Sequence, residues 1–204
     1  SGPHIHVDVR AAEFKLPARK VPLAANAHLP PDIRVMSCRR MPADFHARFD
    51  ACGKQYRYFI WNHPAMNPLL EKRAWHVKRV LNLRAMRAAA ALFPGKRDFK
   101  SFAANRDYEM EDTVRTITRC DVKRSGPLIT VIIEGDGFLY KMCRGIAGTL
   151  VQIGEGRHEP GDVERMLAGL NRSAAGMTAP AWGLVLWKVN YRKGVNGTKR
   201  RGDR

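Results

Sequence analysis

The apolar positions of this chain follow two rhythms. Residues 54–61, KQYRYFIW, alternate as a strand does, with Tyr56 and Tyr58 on one side and Arg57 and Phe59 on the other. Residues 116–122 and 128–134 read as two further strands, and Arg124-Ser125-Gly126-Pro127 between them has the turn chemistry of a hairpin. In EGDGFLYKMCRGIAGTLVQI (Glu134 to Ile153) the rhythm changes. Leu139, Cys143, Ile146, Leu150 and Ile153 step by four, three, four and three, the stripe of a core-facing helix. Asp136 precedes the stripe and is expected to cap the helix, and Gly154-Glu155-Gly156 is expected to end it. Gly145 and Gly148 are costly inside a helix unless another backbone comes close.

Other elements follow from punctuation. Asn82 is placed to cap a helix over Leu83 to Phe93, stopped by Pro94-Gly95. A short helix is predicted over Pro160 to Leu170, and a closing strand over Leu184 to Tyr191. Residues 74–80 are strand-like; residues 63–70, 98–106 and 108–112 read as loops. Near the start, His4 to Val9 and Ile33 to Arg40 read as strands, with a short helix at Leu23 to Leu29 among Pro17, Pro22, Pro30 and Pro31. His4 and His6 would share a strand face, as polar face residues or as a metal pair. No βαβ repeat appears. The order predicts an α+β fold, a largely antiparallel sheet backed by helices on one face. Walker, GxGxxG, HExxH and GxSxG motifs are absent.

Charge narrows the choice of partner. The 204 residues carry 36 Lys and Arg against 19 Asp and Glu, a net +17, so a polyanion is the first partner to consider. Nucleic acid is favoured over a membrane surface, because no basic amphipathic helix with a bulky apolar face occurs. Residues 192–204, RKGVNGTKRRGDR, add a basic tail expected to be disordered, but the rest of the chain is basic too. The longest apolar runs, such as Ala88 to Phe93, are too short to span a bilayer. Cys38, Cys52, Cys120 and Cys143 form no CxxC pair. With an opening SGPHIHVDV that lacks the parts of a secretory signal, this points to a cytoplasmic protein without a disulfide framework or zinc site.

Four stretches set cations beside aromatics: FHAR (Phe45 to Arg48), KQYRY (Lys54 to Tyr58), TVRT (Thr113 to Thr116) and GFLYKMCRG (Gly137 to Gly145). Such interleaving suits RNA, whose unstacked bases lie on rings while cations hold phosphates. Each also has a plainer reading. Tyr56 and Tyr58 fit a packed sheet, and Arg144 fits a solvated helix face.

Taken in order, FHARFDACGKQYRYFIWN, DFKSFA, TVRTI, GDGFLYKMCRGIAGTL and APAWGLVLWKVNY, with LPPDIRV ahead of them, resemble the successive motifs of TruA-type tRNA pseudouridine synthases. The resemblance runs from about His4 to Tyr191 and implies a pseudouridine-synthase fold of two related ferredoxin-like halves around a basic cleft. Residues 1–41 would be a remnant of the N-terminal half, 42–191 the C-terminal half and 192–204 a tail. It implies an isomerase that converts uridine to pseudouridine in the tRNA anticodon stem-loop, at tRNA positions 38 to 40, acting as a homodimer without metal or organic cofactor. By similarity, Tyr56 packs on the uracil and takes the proton from carbon 5, and Arg144 pairs with the nucleophilic aspartate. Phe45, His46, Arg48, Lys54, Arg57, Arg115 and Lys141 are the residues expected to bind the RNA.

One departure changes the expectation. The family's RTDxGVH motif, which bears the nucleophile, does not occur in these residues. The chain therefore reads as a member whose first half is truncated, and Asp136 and Asp50 are not substitutes. Taken alone, it is expected to bind RNA better than it catalyses. A non-catalytic RNA-binding or chaperone-like module using the same cleft is the alternative, and a DNA-binding protein of unspecific charge a third.

Overall fold

A computed structural model describes residues 5–7, 15–104 and 112–192. They fall into two compact units, one built on Cys52–Asn190 and one on His4–Ala51 together with Tyr191 onward.

The larger unit is a mixed sheet of six strands: β1 Ala51–Asn62, β2 Trp75–Val77, β3 Gly95–Asp98, β4 Val114–Ser125, β5 Leu128–Gly135 and β6 Leu184–Tyr191. The order is β2-β1-β5-β4-β3, and β6 also pairs with β1. Only the β1–β2 pairing is parallel among those whose register is defined; β1–β5, β5–β4 and β4–β3 are antiparallel. Gly126 at φ 57° turns the β4–β5 hairpin, and Ser125 faces Leu128 across it. The predicted α+β architecture is therefore the observed one.

Alternation divides the sheet's two faces. Tyr58, Ile60, Ile117, Ile129, Val131 and Ile133 are buried in a core shared with three helices, α2 Leu83–Ala90, α3 Met142–Gly154 and α4 Asp162–Ala168. On the other face, Arg119 bonds both Asp121 (2.6 Å) and Glu134 (3.2 Å), and Gln55 donates to Glu134. Helix α2 begins as its sequence signals: the Asn82 side chain accepts the Ala85 N–H at 3.1 Å. It is shorter than expected, because residues 91–93 already turn toward Gly95.

Gly145 and Gly148 within α3 have the reason their cost requires. A Cβ on Gly145 would lie 2.7 Å from the Phe102 carbonyl oxygen, and one on Gly148 would lie 1.9 Å from that of Met177. Cys143, Ile146, Leu150 and Ile153 are all buried, as the stripe predicted.

Five expectations need correction. Asp136 does not cap α3. Its carboxylate accepts the Thr116 N–H (3.0 Å) and its own N–H donates to the Thr116 carbonyl (3.1 Å), which ties the β5 end to β4 beside the bulge between Ile117 and Arg119. The cap position of α3 is Lys141. The loop expected from Asp98 begins one residue later, because residues 95–98 form β3 by pairing with 114–117. Ile33 to Arg40 is no strand: the Asn26 side chain satisfies both backbone groups of Val35, at 2.8 and 3.0 Å, in place of a partner strand. Helix α1, Val21–Asn26 in the smaller unit, starts earlier than expected with Pro22 in its first turn. Residues 5–7 are not strand; His4, residues 8–14, and residues 105–111 of the two predicted loops lie outside the described residues, as does most of the tail.

Candidate active site

Tyr56 and Tyr58 lie two residues apart on β1 and share its core-side face, but only Tyr58 is fully buried. Tyr56 is half-buried, and the Phe138 ring meets it edge-on at 5.2 Å between centroids. Burial raises the Tyr56 phenol above its ordinary value, and Cys143 beside it adds to the rise. The ring is therefore neutral at physiological pH and flat enough to receive a base.

Arg144 stands in the first turn of α3, half-buried. Its Nε donates to the Ala179 carbonyl at 2.7 Å, while the Ala179 N–H donates back to the Arg144 carbonyl at 3.0 Å. The next residue of that segment, Pro180, accepts the Tyr58 hydroxyl at 2.8 Å. Burial pushes the Tyr58 phenol up, and the Arg144 charge partly offsets this, which places the guanidinium within electrostatic reach of the phenol. Among the described residues, Nη1 and Nη2 of Arg144 have no hydrogen-bond partner. A guanidinium fixed through one nitrogen with two left over suits bidentate binding of a carboxylate or phosphate.

The loop between β5 and α3 gathers more of the expected residues. Arg115 pairs with Asp112 (3.2 Å), and its side chain passes Gly137, where a Cβ would lie 3.4 Å from Arg115 Cδ. Burial would raise the Asp136 carboxyl, but bonds from Thr116 and Gly137 and the Arg115 charge hold it below its ordinary value. Lys141 has φ 60°, left-handed for a residue with a side chain, and its ammonium lies over the Tyr140 ring at 5.0 Å. Backbone strain of this kind concentrates at functional sites. Lys54 faces Gly135 across the β1–β5 ladder.

Two groups of expected residues stand elsewhere. Arg57 is on the opposite sheet face from Tyr56; its guanidinium stacks on Trp187 at 3.8 Å and donates to Gln55 at 2.9 Å. Phe45, His46 and Arg48 belong to the smaller unit. There Phe45 meets Tyr191 edge-on (5.3 Å), and the His46 N–H donates to Asp50 (2.7 Å). The His46 Nδ1 accepts the Arg48 N–H at 3.1 Å, and the Arg48 guanidinium lies 5.7 Å over Phe49. Phe138 and residues 179–180 are not among the site residues expected from the sequence, and Tyr58 is expected there only beside Tyr56 in KQYRY or as a sheet residue. Tyr58 carried a signal, since a buried tyrosine hydroxyl needs a partner.

The chain's own relatives decide the family. Residues 89–192 match the family model described as tRNA pseudouridine synthase. The tRNA pseudouridine synthase A of Methylacidiphilum infernorum is 38% identical over 191 residues, covering 92% of this chain and 75% of that protein. That of Bacillus licheniformis is 42% identical over 192 residues, with 93% and 75% covered. The chain belongs to the tRNA pseudouridine synthase family. The same enzyme of Geobacillus kaustophilus is 42% identical over 192 residues, with 93% and 72% covered. Within the segment matched to the family model lie Arg115, Lys141, Arg144 and the Ala179-Pro180 segment, whereas Lys54, Tyr56 and Arg57 precede it.

Proposed function

We propose that this chain forms the tyrosine and arginine side of a site that isomerises uridine to pseudouridine in tRNA, within the anticodon stem-loop at positions 38 to 40. The observation that carries the reading is Arg144: it is held through Nε alone, on the helix that also borders Tyr56 through Cys143. A paired uridine has to leave its stack to be reached. Once flipped, the uracil packs on the Tyr56 ring. Arg144 orients a carboxylate that attacks the nucleoside and breaks the bond between ribose C1′ and uracil N1. The uracil leaves as its anion and turns, C5 displaces the carboxylate at C1′, the C5 proton passes to Tyr56 in its phenolate form and from there to solvent, and N1 acquires a proton from solvent. The net reaction is an isomerisation and needs no cofactor.

Lys54, Arg115 and Lys141 hold phosphates beside this site, and Phe45, His46, Arg48 and Arg57 also bind the RNA. The domain reading follows: residues 42–191 act as the catalytic half, in a cytoplasmic homodimer. The carboxylate is not found in these 204 residues, which contain no RTDxGVH. The test therefore supplies it, by joining an RTDxGVH-bearing segment of a relative ahead of residue 1 and measuring pseudouridine in anticodon stem-loop tRNA. Turnover is expected, and Arg144→Ala is expected to abolish it while tRNA affinity stays within about threefold. A well-folded joined chain that binds tRNA yet forms no pseudouridine sinks the catalytic reading and leaves an RNA-binding module. Equal loss of turnover and affinity in Arg144→Ala makes Arg144 a phosphate contact.

A further inference from the structure

We infer that Tyr58 is a positioning residue for Arg144, acting through the strap of residues 176–183 that lies between β1 and α3. This rests on the catalytic reading of Arg144 given above, and adds the device that holds it.

The strap is fastened at both ends, to different elements. Its first half is tied to α3: the Gly176 N–H donates to the Thr149 hydroxyl at 3.1 Å, and the Met177 N–H donates to Gln152 at 2.7 Å. Arg172 braces the same stretch, donating to the Gly176 carbonyl (2.8 Å) and the Thr178 hydroxyl (2.7 Å). The second half has fewer ties. Ala179 exchanges two bonds with Arg144, and Pro180, the next residue, is held by the Tyr58 hydroxyl across 122 positions of sequence. Gly183 then passes so close that a Cβ there would lie 2.8 Å from Tyr58 Cζ and 2.8 Å from the Phe59 carbonyl oxygen.

The geometry orients Arg144 by a chain of contacts. The carbonyl that takes Nε belongs to the residue joined by a peptide bond to Pro180, so freedom at Pro180 becomes freedom of the guanidinium. Proline fixes its own φ, which makes that transmission stiff. A guanidinium anchored at Nε can present its two Nη atoms in one plane, and a change in that plane misaligns any bidentate partner. Tyr58 is entirely buried and cannot meet the RNA, so its ring alone would be a packing residue; the hydroxyl aimed at Pro180 is what exceeds packing. Sequence alternation already placed Tyr58 on the Tyr56 face, and the hydroxyl explains why a tyrosine stands where phenylalanine would fill the same volume.

The test removes only that oxygen, in Tyr58→Phe. On the 204-residue chain, nuclear magnetic resonance of the Arg144 Nε–H is expected to show hydrogen exchange at least about tenfold faster, with the backbone amides of Ile146 and Leu150 unchanged. In the chain joined to an RTDxGVH-bearing segment, kcat is expected to fall about tenfold with KM for tRNA unaltered. In an Arg144→Lys background, which lacks Nε–H in that position, Tyr58→Phe is expected to cost no further kcat. Gly183→Ala, which presses on the same ring and strap, is expected to give the same exchange signature and stands in if Tyr58→Phe does not fold. Unchanged Nε–H exchange in these variants, or an equal kcat loss from Tyr58→Phe with and without the Arg144→Lys substitution, overturns the inference. Full turnover by Arg144→Lys with intact Tyr58 would instead overturn the catalytic reading, whatever the exchange data say.

Discussion

At the scale of single residues, two tyrosines on one strand face are separated by burial into different kinds of work. Tyr56 keeps one side open, and its phenol is raised by burial and by Cys143. Only the phenolate can accept the C5 proton, and below its raised value the phenolate fraction grows about tenfold per pH unit. If proton transfer to Tyr56 limits turnover in the joined chain, kcat should therefore rise with pH from about 6 to 9. Tyr56→Phe should remove that rise and lower kcat by about 10²–10⁴ at pH 8, with tRNA affinity preserved by the ring. A pH-independent kcat that Tyr56→Phe leaves untouched would confine Tyr56 to packing. The residue types here were legible in the sequence, but their pairings were not. Nothing in the local pattern says that the carbonyl meeting Arg144 lies 35 positions away, at Ala179.

At the scale of elements, regular strands and the central helix were readable because periodicity is a local property. β6 was read at its observed bounds and α3 by its buried stripe. The misreadings occur where a long-range or side-chain contact decides. Residues 33–40 have strand composition, yet the Asn26 side chain takes both backbone bonds of Val35. Asp136 has the position of a cap, yet its carboxylate takes the N–H of Thr116 on β4. The α3 glycines show the reverse case, in which a local cost correctly announced a tertiary contact. Gly148→Ala should be the more damaging of the two changes, since its Cβ would overlap the Met177 carbonyl. A loss of about 3 kcal/mol is expected, read as a lower urea midpoint at constant slope. Gly145→Ala, with 2.7 Å to the Phe102 carbonyl, should cost less, and the opposite ranking would show that the strap yields more easily than the Phe102 turn.

At the scale of the whole molecule, charge and shape play separate parts. Composition alone pointed to a polyanion, since +17 over 204 residues is a field acting on any nucleic acid. It could not choose the uridine, because phosphate contacts fix register without reading bases. On the function proposed above, choice has to come from contacts to the flipped base itself, which Tyr56 and Arg144 would supply. The basic residues from Arg192 onward are therefore expected to add affinity rather than choice of uridine. Removing 192–204 should weaken tRNA binding by a similar factor for every tRNA tested. The slope of log affinity against log salt should fall by about one for each phosphate that the tail neutralises. In the joined chain the modified positions should stay the same. A truncation that redirected modification to other uridines, while leaving the salt slope unchanged, would mean that the tail reads the substrate rather than attracting it.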